Sequence, residues 1–268
     1  MTLDIRAEKA RGYVLIAILY LHLLVTYVLT RGDPANAPIA FVQIKLLAPH
    51  VSVFFFLTGM GARGLGRRGL PSVLLQSLRL LLLAALSHGI GYWIGPFLHD
   101  PPAGLRATAR AFLTPLATGT GYATFVAWFF EVFALSRLIA YTFERGWRWF
   151  VPTVAFLSLI LWAGQRAGMP DNWLEWRNLP ACTLFFLIGM RIPREWHVPH
   201  WLGALCLPVT LAIAWFNRPG VLSDGPCLAC NIPFVSQPMV GQYGSAPIFF
   251  LQEFSFLIFL LWASQLLA

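Results

Sequence analysis

Long apolar runs separated by short polar segments recur along the whole chain. Eight of them are candidate membrane spans, most of them roughly 17–25 residues long, the length that crosses ~30 Å of hydrocarbon. They lie near residues 12–31, 38–60, 72–96, 119–141, 149–165, 178–190, 200–216 and 246–268. Residues 104–118 are predicted to form an interfacial or re-entrant helix. The pattern predicts an all-α polytopic membrane protein of about eight transmembrane helices, organised as one domain over residues 1–268.

Composition and charge favour the same class. Hydrophobic residues make up 58% of the chain and charged residues 11%, which excludes an ordinary soluble domain. The formal net charge is +8, but the basic residues fall mainly between the apolar runs, so membrane topology and not a nucleic-acid partner accounts for them. A cytoplasmic N-terminus places ten cationic residues on inner segments and six on outer segments, which favours that orientation. The inner set is Arg6, Lys9, Arg11, Arg63, Arg67, Arg68, Arg145, Arg148, Arg191 and Arg194, and the outer set is Arg31, Arg106, Arg110, Arg166, Arg177 and Arg218.

The first apolar run combines a basic residue at its start with a histidine in its interior. Arg11 and His22 are separated by about 1100° of helical rotation, about 20° beyond three full turns, so they share one helix face. The rise between them is ~16 Å, which places Arg11 at the membrane surface and His22 near the bilayer centre. Glu8 lies on the same face, three residues before Arg11. The spacing predicts a polar stripe from the cytoplasmic surface to mid-membrane.

Other polar residues are predicted at similar depth. His50 and Glu131 each lie about twelve residues into their spans, ~18 Å from the outer surface, and Arg79 and Glu253 lie about two turns into theirs. Charged side chains at mid-span cost about 2.5–3.5 kcal/mol on insertion scales, so several at one level favour a shared polar cavity.

Structural explanations compete with this one. The buried polar groups could satisfy one another as contacts between helices. For Lys45 alone, extension of the side chain toward the membrane surface is expected. For His88, packing is expected.

Several segments together resemble one protein family. Glu8-Lys-Ala-Arg11-Gly followed by an apolar run to His22 is similar to the N-terminal signature of the integral-membrane acyltransferase-3 superfamily. "APHVSVFFFLTGMGAR" (48–63) resembles its second span, with Thr58-Gly59 in place of Ser-Gly. "FVAWFFEVFAL" (125–135) and "LPACTLFFLIGMRI" (179–192) are similar to later spans. The chain departs from the family at Gln76-Ser-Leu-Arg79, which keeps only the second arginine of an Arg-x-x-Arg pair, and in having eight candidate spans where about ten are common.

The resemblance implies transfer of an acyl group, usually acetyl, from acetyl-CoA or another acyl-CoA to a hydroxyl of a surface carbohydrate or related acceptor. The implied location is the bacterial inner (plasma) membrane, and no metal is expected. His22 would act as general base, with Glu131 holding its tautomer, and His50 is the third candidate catalytic residue. Phosphates of CoA would meet a set of guanidinium groups, those of Arg11, Arg67, Arg68 and Arg79.

Three alternatives remain open from the residues. An acyl-histidine intermediate could replace direct transfer. A proton-coupled transporter could use the mid-membrane histidines and glutamates. A structural or assembly subunit would need the polar residues only for packing.

The four cysteines divide into two groups. Cys227 and Cys230 lie in the long outer segment 217–245, where a disulfide is plausible and a gating role for the segment is possible. Redox activity is disfavoured because no thioredoxin-like pattern surrounds the pair. Cys182 and Cys206 are predicted to be buried in spans six and seven, so a zinc site is not expected.

Overall fold

The computed structural model describes residues 5–31, 38–94, 104–119, 121–124, 126–168, 172–193, 196–216 and 246–267. Within these ranges the regular elements are all helical. They are α1 (Ile5–Arg31), α2 (Pro38–Leu47), α3 (His50–Gly61), α4 (Leu70–Ile94), α5 (Leu105–Thr118), α6 (Ala127–Glu144), α7 (Trp147–Arg166), α8 (Leu179–Arg191), α9 (His200–Phe216) and α10 (Ala246–Leu266), with short 3₁₀ turns at Leu65–Arg67 and Trp173–Glu175.

Five helical stretches in the described residues are long and apolar enough to cross a membrane. They are Ala7–Tyr27, Val42–Gly61, Leu70–Ile94, Trp147–Gly164 and Pro247–Leu266, and two shorter apolar helices are Leu179–Arg191 and His200–Phe216. On α4, large apolar side chains are exposed at every fourth position (Leu74, Leu78, Leu82, Leu86 and Ile90). A helix with such an apolar stripe needs lipid or protein over it. The predicted all-α membrane class is supported, and the count of eight spans stays a prediction.

The second apolar run, predicted as one span, is interrupted and forms the two helices α2 and α3, although Val42–Gly61 remains one candidate span. Pro49 has no N–H, so the carbonyl of Lys45 loses the donor that a continuous helix would supply. That carbonyl accepts instead from the Ala48 N–H (3.4 Å) and from Gln252 Nε2 on α10 (3.3 Å). The helix therefore ends at Leu47, and α3 begins at His50.

The fourth run begins later than predicted, at Ala127 and not near residue 119. Gly119 and Gly121 have positive φ angles of 70° and 75°, a conformation that ends a helix and that glycine adopts without strain. The segment predicted at 104–118 is helix α5, and its interfacial or re-entrant placement stays a prediction.

The chain divides into two compact units. Unit 1 comprises Met1–Gly61 and Phe185–Ala268, and unit 2 comprises Ala62–Leu184. The prediction of a single domain over residues 1–268 stays a prediction. In unit 1, α1 packs on α2, α3 and α10, and α10 also packs on α9 and α3. In unit 2, α4 and α7 pack on α6, α5 packs on α4, and both 3₁₀ turns contact α6.

Two glycines allow a close helix contact in unit 1. A Cβ atom built on Gly59 of α3 would lie 2.0 Å from the carbonyl oxygen of Phe186, and one built on Gly189 of α8 would lie 2.0 Å from that of Phe56. The contact is therefore reciprocal, backbone against backbone, as at small-residue crossings between membrane helices. Phe56 and Phe186 are buried beside it.

Candidate functional site

The inner end of the predicted stripe is an ion-paired arginine. Arg11 Nη1 pairs with Glu8 Oε1, and Arg11 Nη2 donates to the carbonyl oxygen of Leu57 at 2.9 Å. Leu57 lies in the last turns of α3, where carbonyl groups attract a cation. A Cβ atom on Gly61 would lie 2.9 Å from Arg11 Nη2, so the small residue leaves room for the guanidinium. Arg11 thus connects α1 to α3, and its side chain remains 27% exposed.

His22 lies on the same face of α1. Its ring faces that of His50 at the start of α3, with ring centroids 6.5 Å apart and planes at 78°. Arg11 and His22 therefore both contact α3, which confirms their predicted common face.

The tautomer of His22 follows from its own helix. Nδ1 lies 2.7 Å from the carbonyl oxygen of Ile18. A carbonyl oxygen only accepts hydrogen bonds, so Nδ1 carries the hydrogen and Nε2 is the basic nitrogen of the neutral ring. The Ile18 carbonyl thus lies at the Nδ1 position that Glu131 was expected to occupy, and a catalytic role for Glu131 stays a prediction.

His50 has the same tautomer for a different local reason. Its Nδ1 lies 2.7 Å from the carbonyl oxygen of Leu47, the last residue of α2, so the ring donates to a helix end that the Pro49 break leaves open. His50 is 2% exposed. The break that the sequence analysis did not predict thus orients one of the candidate catalytic residues.

Buried polar atoms in unit 1 that have no hydrogen-bond partner in the described part of the chain include Ser52 Oγ and Gln252 Oε1. Ser52 lies two residues after His50, and the amide nitrogen of Gln252 donates to the Lys45 carbonyl. Leaving a buried polar group unsatisfied costs about 1–3 kcal/mol, so a ligand group or water is the expected partner. Sequence reasoning missed both residues, since an uncharged serine or glutamine in an apolar run is an ordinary contact between helices.

In unit 2, Glu131 lies near a second carboxyl group, that of Glu175, which the sequence did not predict. Glu131 Oε2 accepts from the hydroxyl of Tyr122. Glu175, in the 3₁₀ turn between α7 and α8, accepts at Oε2 from Asn172 Nδ2 (2.8 Å) and Asn178 Nδ2 (2.7 Å). Burial, together with the nearby charge of Glu131, raises the pKa of Glu175 to about 8.

Glu175 is also unusual in its backbone. Its φ of 55° is the sole positive value among the non-glycine residues that the structure describes. The turn is held by Trp173, whose ring packs where Gly164 has no side chain and whose Nε1 donates to the Ala117 carbonyl. The sequence did not predict the burial of Glu175, because a glutamate in a predicted outer loop is expected to be exposed.

The other predicted phosphate-binding arginines also lie in unit 2. Arg67 and Arg79 are exposed, and Arg68 Nη1 donates to Gln76 Oε1 at 3.2 Å. The predicted grouping of these residues with Arg11 stays a prediction, as does a cavity shared by His22, His50 and Glu131.

The remaining polar residues of the apolar runs have structural surroundings. His88 accepts from the Ala123 N–H at Nδ1 (2.9 Å) and lies 3.1 Å from the Phe112 carbonyl at Nε2, so packing accounts for it, as expected. Lys45 is 6% exposed, so its side chain is buried and does not extend toward a surface as expected. Glu253 is fully buried on α10.

The cysteine and metal predictions have separate outcomes. Cys182 and Cys206 are buried, as predicted. Cys227 and Cys230 lie outside the described residues, as do Arg194 and Arg218. The part of the chain that is described contains no group of three or more histidine, cysteine, aspartate or glutamate side chains that could hold a metal ion.

Comparison with known proteins gives no relative for this arrangement. No protein-family model, curated protein or solved structure matches the chain.

Proposed function

We propose that this protein is a membrane O-acyltransferase that moves an acyl group, acetyl first among them, from acyl-CoA to a hydroxyl of a surface carbohydrate or related acceptor. The observation that carries the proposal is the hydrogen bond from His22 Nδ1 to Ile18, which leaves Nε2 as a base within an apolar helix. Arg11 lies on the same face of that helix, beside the end of α3. A base and a cation on one stripe suit a thioester donor that carries phosphates.

The proposed reaction transfers one proton to His22 and then from His22 to the leaving group. His22 Nε2 removes the proton of the acceptor hydroxyl as that oxygen attacks the thioester carbonyl. The tetrahedral intermediate then collapses, the carbon–sulfur bond breaks, and the CoA sulfur takes the proton from the imidazolium. The products are the O-acyl ester and free CoA, so atoms and charge balance without a further reactant.

Neighbouring groups have supporting roles in this proposal. The ring of His50 provides a second basic nitrogen next to His22. Ser52 Oγ and Gln252 Oε1, which have no partner among the described residues, are assigned to binding of the acceptor. The guanidinium of Arg11 has five N–H groups, more than the contacts with Glu8 and Leu57 use. We assign the remaining N–H groups to the phosphates of acyl-CoA, together with Arg67, Arg68 and Arg79. The proposed location is the bacterial inner membrane, with the N-terminus in the cytoplasm.

The test uses purified protein in lipid nanodiscs with labelled acetyl-CoA. Release of CoA thiol, with water or added glucose as the acceptor, and transfer of label to glycans in membrane vesicles from expressing cells are both measured. His22→Gln should lower both rates at least a hundredfold, as loss of a general base does. His197→Gln replaces an exposed histidine and is the matched control. Near-normal rates in His22→Gln would reject the assignment.

A proton-coupled transporter is the second candidate, and the buried carboxyl groups of Glu131 and Glu175 favour it. The same preparation distinguishes the two functions. Proton flux driven by a substrate gradient, without release of CoA and abolished by Glu131→Gln, would favour the transporter. Stabilisation of the protein by acetyl-CoA that Arg11→Ala removes would favour the transferase.

A further inference from the structure

Two guanidinium groups of unit 2 converge on one amide oxygen. Arg68, just before α4, donates from Nη1 to Gln76 Oε1, and Arg137 of α6 donates from Nη2 to the same atom. The amide nitrogen of Gln76 lies 3.4 Å from Ser72 Oγ on the opposite side, which orients the oxygen toward the two arginines. One neutral acceptor is therefore shared by two cations.

Neither cation has a counter-ion among the residues that the structure describes. In the described residues no carboxylate contacts Arg68 or Arg137, and the two charges are close enough to disfavour each other. Arg137 packs over the ring of Phe133 at 5.8 Å, and its Nε is buried with no hydrogen-bond partner in the described ranges. An anion bound between the two guanidinium groups would reduce their mutual repulsion and would accept a hydrogen bond from the unused Nε.

A neighbouring segment adds a third arginine with unused donors. Arg63 has Nε and Nη2 buried without a hydrogen-bond partner among the described residues. It precedes the 3₁₀ turn Leu65–Arg67, which packs on α6. A Cβ atom on Gly66 would lie 2.5 Å from the Cβ of Glu144, so this turn lies directly on the last turn of α6. The segment that carries Arg63 and Arg68 is thereby held next to the helix that carries Arg137.

We infer that Arg68, Arg137 and Gln76 form a binding site for a phosphate group. A tetrahedral phosphate can accept two hydrogen bonds from each planar guanidinium fork, which a single amide oxygen cannot do. Binding replaces the shared Gln76 oxygen with charged acceptors and supplies a partner for Arg137 Nε. The inference deepens the proposed function, because Arg68 is one of the residues assigned there to the phosphates of acyl-CoA. It rests on that function only for the identity of the molecule that carries the phosphate.

The phosphate can belong to a soluble molecule, such as the nucleotide end of acyl-CoA, or to a lipid headgroup. Two arms of one experiment separate these sources. In a neutral detergent, inorganic pyrophosphate is titrated at constant ionic strength, and its affinity is measured by calorimetry and by the thermal unfolding midpoint. In nanodiscs, the midpoint is compared between phosphatidylcholine alone and phosphatidylcholine with phosphatidylglycerol.

Arg137→Gln and Arg68→Gln are the test variants, and Arg106→Gln on α5, which replaces an exposed arginine, is the control. Each test variant should weaken pyrophosphate binding at least tenfold, and the control should bind as the unsubstituted protein does. Without any anion, Arg137→Gln should unfold at the same or a higher temperature because one of two repelling charges is gone. A purely structural role for Arg137 predicts the opposite, a lower midpoint.

If phosphatidylglycerol stabilises the protein in an Arg137-dependent manner and pyrophosphate does not, the site stands and its ligand is a headgroup. If neither source stabilises the unsubstituted protein more than Arg137→Gln, the inference is overturned. The proposed function is tested separately from the phosphate site. His22→Gln should retain pyrophosphate binding, and Arg137-dependent binding in a protein without transfer activity would reject the transferase alone.

Discussion

Replacing Gly59 with alanine tests the backbone contact on which the arrangement of α3 and α8 depends. The added Cβ would lie 2.0 Å from the Phe186 carbonyl oxygen, and ordinary contact begins at 3.4 Å, so the two backbones must separate by a further 1.4 Å. A carbonyl on a helix cannot turn aside as a side chain can. Forcing one extra methyl group into a packed core costs typically 1–3 kcal/mol, and we take the upper value of about 3 kcal/mol. Alanine returns about 1 kcal/mol through its helix propensity, so Gly59→Ala should destabilise by about 2 kcal/mol.

Gly12→Ala is the matched control for this substitution. Gly12 also lies in a helix, and a Cβ atom there meets nothing within 4 Å, so only the propensity gain of about 1 kcal/mol applies. The two variants should therefore differ by about 3 kcal/mol in the free energy of unfolding, measured by denaturant titration in mixed micelles. Equal stability of the two would show that α3 and α8 do not cross at Gly59.

The partner glycine gives an internal check. Gly189→Ala should destabilise the protein about as much as Gly59→Ala, because its Cβ meets the Phe56 carbonyl oxygen at the same 2.0 Å. The double variant should cost less than the two single variants added together, since helices already pushed apart by one methyl group make room for the second. Simple additivity would mean that the two glycines act at separate contacts.

Three further predictions concern other parts of the structure. The pKa of Glu175 is raised from 4.5 to about 8, so the folded protein binds this proton more tightly than the unfolded chain does. The contribution of Glu175 to the free energy of unfolding is therefore fully present below pH 4.5 and is lost as the pH rises through 8. It amounts to about 5 kcal/mol at most. Thermal unfolding should thus occur at lower temperature at pH 9 than at pH 5, and Glu175→Gln should flatten that dependence, while an unchanged slope would contradict it. Thr183→Val removes the 3.0 Å hydrogen bond to Ser136 and should cost about 1–2 kcal/mol in chemical denaturation, with Thr183→Ser close to unchanged. A Cβ atom on Gly203 would lie 2.1 Å from Cγ and 2.5 Å from Cβ of Trp262, atoms at the base of the side chain that a ring rotation does not clear. Gly203→Ala should therefore destabilise by about 1–3 kcal/mol and should alter tryptophan fluorescence; unchanged emission would argue against the contact.

The positions of the helices were largely predictable because apolar length alone determines them. The run predicted at 200–216 is α9 with the same limits, and the run at 149–165 is α7 within two residues at either end. The exceptions are local backbone effects. Pro49 interrupts an otherwise uniform apolar run, and Gly119 and Gly121 delay the start of α6, since hydropathy does not register a missing N–H or a positive φ.

The candidate site was predictable along one helix and not between helices. Helical periodicity correctly placed Arg11 and His22 on one face, because rotation per residue is nearly constant. Depth along a span is a weaker guide, since two residues at one level can lie on any side of their helices. Glu131 was assigned to His22 on depth alone, and the Ile18 carbonyl, four residues away on the same helix, holds the ring instead.

The segments that carry the family resemblance divide by physical role. The Phe-Phe and glycine positions of the second and sixth apolar runs include Phe56, Gly59, Phe186 and Gly189, which form one packing contact. Any membrane protein that crosses two helices this closely needs small residues there, whatever its activity, so these segments argue for a helix arrangement and not for a reaction. The chemical argument therefore rests on the Arg11–His22 stripe alone. Gly59→Ala and His22→Gln consequently test separate claims, and loss of stability in the first carries no information on transfer of an acyl group by the second.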